Sequence, residues 1–91
     1  MNQLVQARHI LVQSAEQAQS LQKQIIEGAD FSTLAQTNSL CPSKVNGGDL
    51  GDFGRGMMVK SFEDAAFGLE VGAVSEPVQT QFGWHIIKRT A

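Results

Sequence analysis

The sequence predicts a small α+β domain with the element order β-α-α-β-α-β-β. Three observations support this: short β-branched segments near both ends of the chain, amphipathic helical segments after the first of them, and a glycine-rich middle. Helices placed between strands at the two chain ends favour a sheet covered by helices. With 91 residues, the chain suffices for one modest core. We therefore predict a single domain over residues 1–91, with 1–6 as an N-terminal extension.

The first strand is predicted over residues 7–12, a short apolar segment that is β-branched toward its end. Alternate residues of a strand share a face. His9 and Leu11 should therefore point to one side of the sheet, and Ile10 and Val12 to the other.

Two helices follow the first strand. Ser14 and Gln17 have the S-x-x-Q spacing of a capping box, in which each side chain satisfies a free backbone N–H of the other residue. Gly28 suits the left-handed position just past a helix end. Asp30 is a good N-cap for the second helix.

The regular pattern breaks over residues 40–56, where glycines predict a loop-rich region with a short strand at about 50–53. Ser61 is expected to cap a third helix over residues 62–69. Glu63 falls in the first turn of that helix, where the helix dipole favours negative charge.

The chain ends in a predicted hairpin. Residues 77–80 and 84–88 read as two strands, joined by a short turn that contains Gly83.

Composition limits the possible partners. Hydrophobic residues make up 42% of the chain and charged residues 18%, and the net charge is −2 with no basic block, so nucleic acid is not an expected partner. No stretch approaches the roughly 20 apolar residues of a membrane span. The N-terminus lacks the features of a signal peptide, and the single cysteine cannot form an internal disulfide. We expect a cytoplasmic monomer, unless the domain was cut from a larger exported protein.

The residues with most chemical potential are His9, Cys41 and His85. If the first and last strands pair, the two histidines can approach each other. A pair of buried, hydrogen-bonded histidines is the simplest interpretation. A zinc site is a second one, but structural zinc ligands come in close pairs that are lacking here, so we predict no metal. A cysteine hydrolase is a third, although Pro42 follows Cys41 without a nucleophile signature.

The glycine run at 47–51 lacks the G-K-[ST] of a phosphate loop, which favours a role in tight turns. Met58, in a stretch poor in regular structure, could line an adaptable apolar pocket. Phe82 lies in a hairpin turn and would be exposed unless something binds against it. On periodicity alone, pocket and core are equally open interpretations of these apolar side chains.

Four sequence blocks resemble the parvulin family of peptidyl-prolyl cis/trans isomerases. Residues 9–12 read H-I-L-V, and 46–56 resemble the family's G-G-D-L-G-x-F-x-R-G signature. Residues 58–67 resemble its M-x-x-x-F-E-x-A-x-F segment, and 71–87 its closing V-G-x-x-S-x-P-V and F-G-[WY]-H-I-I strands. The blocks cover nearly the whole chain in the right order, and the chain is most similar to single-domain bacterial parvulins.

The resemblance implies an FKBP-like fold, a four-stranded antiparallel sheet wrapped by helices. It also implies isomerisation of X-Pro bonds in polypeptides, without a cofactor, in support of protein folding. Its polar site residues correspond to His9, Cys41, Thr80 and His85. Its proline pocket corresponds to Leu50, Met58, Phe62 and Phe82.

Two departures from the family pattern bear on specificity. Many parvulins have proline where this chain has Ser61, and we expect little effect beyond helix capping. Phosphate-directed parvulins have a long basic loop before the first helix, whereas only Gln13 and Ser14 intervene here. This favours an unmodified apolar or neutral residue before proline. A parvulin-like module that binds unfolded peptide without isomerising it remains the competing hypothesis.

Overall fold

Four antiparallel strands organise the computed structural model, which describes residues 3–91. The sheet order is β2-β1-β4-β3, so the first and last strands form its centre. The strands are β1 Val5–Val12, β2 Asp49–Phe53, β3 Val78–Thr80 and β4 Gly83–Arg89. The helices are α1 Ala15–Ile26, α2 Phe31–Asn38 and α3 Lys60–Gly68, with a 3₁₀ helix at Pro42–Asn46. The predicted α+β class and element order are confirmed, and the 3₁₀ helix is an addition within the predicted loop region.

The sheet separates two apolar clusters. Ile10 and Val12 share one face of β1, as alternation predicts, and the structure shows that α1 and α2 pack against this face. Val5 and Ala7 point to the opposite face, where α3 packs. The first cluster contains Ile10, Val12, Ala18, Leu21, Phe31, Ala35 and Ile86. The second contains Val5, Ala7, Phe53, Phe62, Ala66 and Ile87.

Ser14 and Asp30 cap the first two helices as predicted, although the described residues show only the Ser14 half of the predicted capping box and no bond from the Gln17 side chain to the Ser14 N–H. The Ser14 hydroxyl accepts a hydrogen bond from the Gln17 backbone N–H at 3.1 Å. The Asp30 carboxylate accepts one from the Thr33 backbone N–H at 3.0 Å. Gly28, just beyond α1, has φ +111°, in the region that favours glycine.

The first strand begins at Val5, two residues before the predicted start. Val5 is fully buried and pairs with Phe53 of β2. Val5 and Ala7 are two residues apart and both point to the face that α3 covers, so the alternation of β1 continues to Val5. Residues 5 and 6 of the predicted extension are therefore part of the sheet, while residues 1 and 2 lie outside the described part of the chain.

The predicted cap of the third helix is wrong. The helix begins at Lys60, with Val59 at the N-cap position and no side-chain capping bond. The Val59 carbonyl accepts from the Glu63 N–H at 2.9 Å and closes the first turn there. Ser61 consequently lies inside that turn and does not cap the helix.

No helix within residues 3–91 is long and apolar enough to cross a membrane.

Candidate active site

A cavity of about 500 Å³ opens on the face of the sheet that α3 covers. Strands β1 and β4 supply its polar floor, and the segments around the 3₁₀ helix, β2 and α3 supply its sides. Its lining is almost entirely apolar. The lining residues are His9, Leu11, Leu40, Cys41, Pro42, Leu50, Met57, Met58, Val59, Phe62, Phe82 and His85.

The two histidines meet on the floor of the cavity, as strand pairing predicts. In the β1–β4 register, Leu11 stands opposite His85, and His9 stands opposite Ile87. His9 and His85 are therefore diagonal neighbours on one face. Their Nδ1 atoms lie 3.0 Å apart in a buried hydrogen bond. One Nδ1 must carry the proton and the other must accept it.

Thr80 extends this pair into a chain of hydrogen bonds. Its Oγ1 lies 2.7 Å from Nε2 of His85 and also accepts from the Phe82 backbone N–H at 3.2 Å. His9 Nε2 is buried without a hydrogen-bond partner in the described part of the protein. The bond from Thr80 to Nε2 of His85 thus restrains the imidazole ring on the side opposite to its bond with His9, in keeping with the place predicted for Thr80 in the polar set.

Burial sets the charge of the histidines. Desolvation, together with repulsion from His85, lowers the pKa of His9 to about 4. Desolvation lowers the pKa of His85 to about 4 as well. Both rings are consequently neutral near neutral pH, and the floor of the cavity has no net charge.

Phe62 packs against both histidines. Its ring centroid lies 5.5 Å from that of His9 and 5.2 Å from that of His85, and its plane is nearly perpendicular to each. Edge-to-face contact of this kind is favourable for aromatic rings. Phe62 is only 3% exposed, so it belongs to the core as well as to the cavity.

Cys41 lies at the start of the 3₁₀ helix, in a segment bonded to β1. The Leu40 N–H donates to the Leu11 carbonyl at 2.8 Å. The Ser39 hydroxyl accepts from the N–H groups of Leu11 and Cys41 at 3.1 Å and 3.3 Å. These bonds hold the partly buried thiol on the cavity surface.

The hydrogen bonds of the site do not form a cysteine–histidine nucleophile. An activating base must bond to the thiol. Within residues 3–91 the two Nδ1 atoms bond to each other, His85 Nε2 bonds to Thr80, and His9 Nε2 has no partner.

The same residues contain no group of three or more potential ligands that could hold a metal ion.

The glycine run builds a tight turn beside the site. Gly47 and Gly48 have φ +68° and +84°. Their N–H groups donate to the carbonyls of Lys44 and Ser43, and the Gly48 carbonyl accepts from the His9 N–H at 3.0 Å. These amides are thus engaged within the chain, which supports tight turns over a phosphate loop.

Seven of the eight residues predicted for the site line one cavity, and Thr80 supports it through His85. Phe82 is exposed at its mouth, as its position in a turn predicts. Sequence reasoning missed five lining residues. Leu11 shares the strand face of His9, and Leu40 and Pro42 flank Cys41. Met57 and Val59 lie on either side of Met58. The missed residues are Leu11, Leu40, Pro42, Met57 and Val59.

Comparison with known proteins agrees with this architecture. The family model for Rotamase, the PPIC-type PPIase domain, matches residues 7–91. Foldase protein PrsA 4 of Bacillus cereus is 52% identical over 87 residues, which are 94% of this chain and 31% of that protein. Peptidyl-prolyl cis-trans isomerase Pin1 of Digitalis lanata is 51% identical over 78 residues, covering 85% of this chain and 66% of that one.

Among solved structures, the parvulin NmPin of Nitrosopumilus maritimus superimposes with a TM-score of 0.89 at 44% identity, covering 100% of this chain and 98% of that one. The chain spans less than a third of the B. cereus foldase that it matches. Sequence, fold and site point to one family. The chain belongs to the Rotamase family of PPIC-type PPIase domains, the parvulins.

Proposed function

We propose that this domain isomerises X-Pro bonds of unfolded polypeptides in which the residue before proline is apolar or neutral and carries no phosphate. The chemistry of the cavity lining is the observation that supports this most directly. Among the described residues that line the cavity, none is Lys, Arg, Asp or Glu. The two histidines are neutral, because burial lowers the pKa of each to about 4.

A phosphorylated residue before proline has no evident partner in such a cavity. A phosphate group adds a charge of about −1.5 to −2 and needs cationic or hydrogen-bonding partners when it is desolvated. The link between β1 and α1 consists only of Gln13 and Ser14. It therefore offers no basic loop above the site, and selection for phosphate lacks a physical basis here.

Apolar side chains at the mouth of the cavity favour apolar substrates. Leu40, Met57 and Phe82 are 55%, 66% and 60% exposed. Large exposed apolar side chains around a concave site are typical of binding surfaces. Each Å² of apolar surface that a substrate buries there contributes about 25 cal/mol. A large apolar residue next to proline therefore adds binding free energy that a small or charged residue does not.

Rotation itself needs no covalent step. The barrier of about 18–20 kcal/mol arises from amide resonance, which is strongest in the planar, charge-separated amide. In our proposal Leu50, Met58 and Phe82 hold the proline ring while the carbonyl side turns. Removal of water from the bond disfavours the polar planar form, so the twisted form becomes easier to reach.

The polar groups then have supporting roles. Neutral His9 and His85, bonded to each other, keep the floor of the cavity rigid and uncharged. Cys41 tunes the polarity near the rotating carbonyl without attacking it, since its thiol has no bonded base.

Isomerisation of three peptides that differ only before proline tests the substrate class. Leu-Pro, Ser-Pro and phosphoserine-Pro peptides would be compared in a protease-coupled assay. We expect kcat/KM to be highest for Leu-Pro and lowest for phosphoserine-Pro. A preference for phosphoserine over serine would overturn the proposal. Saturable binding of Leu-Pro without acceleration would favour the peptide-binding module instead.

A role in protein folding is the wider proposal. The similarity to a protein named as a foldase supports it. The test is refolding of a protein whose slow phase is limited by a non-native X-Pro isomer. We expect catalytic amounts of the domain to speed that phase. Monomeric state, cytoplasmic location and lack of nucleic-acid partners stay predictions from composition.

A further inference from the structure

One buried charged side chain has no part in the mechanism above. Glu63, on α3, is only 6% exposed, yet it lines neither cluster of the core nor the cavity. Charged groups are rarely buried unless they are paired and hydrogen-bonded. The partners of Glu63 therefore indicate what its burial achieves.

The two carboxylate oxygens of Glu63 bind the same short segment. Oε1 accepts a hydrogen bond from the Gly56 backbone N–H at 2.6 Å. Oε2 accepts one from Nη1 of Arg55 at 3.1 Å. The Arg55 guanidinium also lies 4.4 Å from the ring centroid of Phe67, one turn further along α3. Residues 55 and 56 are thus tied to α3 by one carboxylate and one aromatic ring.

These residues belong to a turn that leads directly into the cavity wall. The Met57 N–H donates to the Gly54 carbonyl at 3.4 Å, and Gly56 has φ +89°. The next three residues, Met57, Met58 and Val59, all line the cavity. Within the turn, this long backbone bond is joined only by a bond from the Gly54 N–H to Sδ of Met57 at 3.2 Å, and a thioether is a weak acceptor, so the turn is weakly fixed by its own residues. The charge-assisted bonds from Glu63 supply the stronger restraint.

We propose that Glu63 is a positioning residue for the isomerase: its carboxylate holds the 54–57 turn against α3 and so preforms the wall of residues 57–59 that grips proline. The proposal rests on the proposed function for the role of that wall. The wall contacts proline in the cis, trans and twisted forms alike, so its loss weakens all three similarly. Uniform binding of this kind affects KM far more than kcat.

Asp64 provides a matched control. It is the next residue, also a carboxylate, and lies 3.8 Å from the same Arg55 and 3.2 Å from Lys60. Its side chain is 54% exposed and binds side chains only. Asp64→Asn therefore removes an equal charge beside Arg55 without touching the Gly56 N–H.

The experiment compares Glu63→Ala, Glu63→Gln and Asp64→Asn with the wild-type chain. For a Leu-Pro peptide, we expect Glu63→Ala to raise KM about fivefold with kcat nearly unchanged, because the turn loses both of its bonds to the Glu63 carboxylate. Glu63→Gln retains an acceptor oxygen for Gly56 and should restore most of the affinity. Asp64→Asn should match the wild type. Amide exchange of Gly56, read by NMR, should accelerate in Glu63→Ala and not in Asp64→Asn.

Three results would overturn the proposal. The first is a folded Glu63→Ala variant with the KM and Gly56 exchange of the wild type. The second is an equal rise in KM for Asp64→Asn, which would indicate a general charge effect. If Glu63→Ala does not fold, the third is Gly56 exchange in the wild-type chain that is as fast as that of an exposed, unbonded amide, whereas slow exchange in both the wild type and Glu63→Gln supports the proposal. Because the exchange measurement needs no substrate, an inactive wild type would overturn the proposed function alone.

Discussion

The Nδ1 atoms of His9 and His85 are hydrogen-bonded at 3.0 Å, although 76 positions separate the two residues along the chain. The bond exists only because β1 and β4 pair at the centre of the sheet. It joins the two strands on the face that forms the floor of the cavity. Protonation of the two histidines should therefore affect both the stability of the fold and the charge of the site.

The first prediction concerns stability and pH. The pKa of each histidine is about 4 in the folded chain, against an ordinary value of 6.5. Between these values the unfolded chain binds protons that the folded chain does not, so the free energy of unfolding rises with pH. We expect full stability above about pH 6.5 and a progressive loss toward about pH 4. Denaturant unfolding at a series of pH values measures this dependence.

A His9→Asn variant is the control for this prediction. It removes one titrating ring while an amide group remains near the Nδ1 position. Its stability should depend less steeply on pH between about 5 and 6.5, above the range in which most carboxylates titrate. A wild-type stability that is constant or rises on acidification in that range would contradict the neutral pair.

The second prediction concerns Cys41. Because neither imidazole bonds to its thiol, we expect Cys41→Ser to retain kcat/KM within about tenfold, far less than the loss of a covalent nucleophile would cause. Cys41→Asp should also retain activity, since a polar group stays near the carbonyl. The protease-coupled assay measures both. Complete inactivity of both folded variants would favour covalent attack.

The third prediction concerns the turn that supports His9. A Cβ at Gly48 would collide with the His9 carbonyl oxygen, and Gly48 has φ +84°. We expect Gly48→Ala to lower the free energy of unfolding by more than about 3 kcal/mol, and to reduce activity. Gly51 is the control, because it has φ +69° but open space where a Cβ would lie. Gly51→Ala should cost only about 1–2 kcal/mol, from backbone strain alone. Equal losses would show that the close approach to His9 is unimportant.

The fourth prediction separates binding from stability within the pocket. Phe82 is 60% exposed, whereas Phe62 is 3% exposed. Phe82→Ala should leave the free energy of unfolding within about 0.5 kcal/mol and lower kcat/KM about tenfold. Phe62→Ala should cost about 3–5 kcal/mol of stability, because it empties a core position. Thermal unfolding and the isomerisation assay together check both. Wild-type activity in Phe82→Ala would remove that residue from the pocket.

Local patterns in the sequence predict much of this fold. Ser14 and Asp30 identify helix starts through side-chain chemistry that acts within three residues. The alternation in β1 assigns His9 and Ile10 to opposite faces. The meeting of His9 with His85 depends on the pairing of β1 with β4, which alternation within each strand does not establish and which the structure shows.

Features that arise from distant contacts are not predictable in the same way. Serine is a residue type that favours the N-cap position, yet Ser61 does not occupy it, because the Val59 carbonyl closes the first turn of α3. Glu63 resembles an ordinary acidic residue in a first helical turn. Its burial becomes evident only when the 54–57 turn folds back onto α3 and brings the Gly56 N–H to its carboxylate. The cavity lining likewise combines residues from several separate segments of the chain.

Exchange spectroscopy on a Leu-Pro peptide tests the central claim most directly, because it observes rotation without a protease or any cleavage. The cis and trans forms of the peptide give separate NMR signals, and uncatalysed exchange takes tens to hundreds of seconds. With catalytic amounts of the chain, we predict exchange cross-peaks between the two forms within about a second, in the wild type and in Cys41→Ser alike. Binding shifts or broadening without cross-peaks would contradict isomerase activity and leave only a peptide-binding domain.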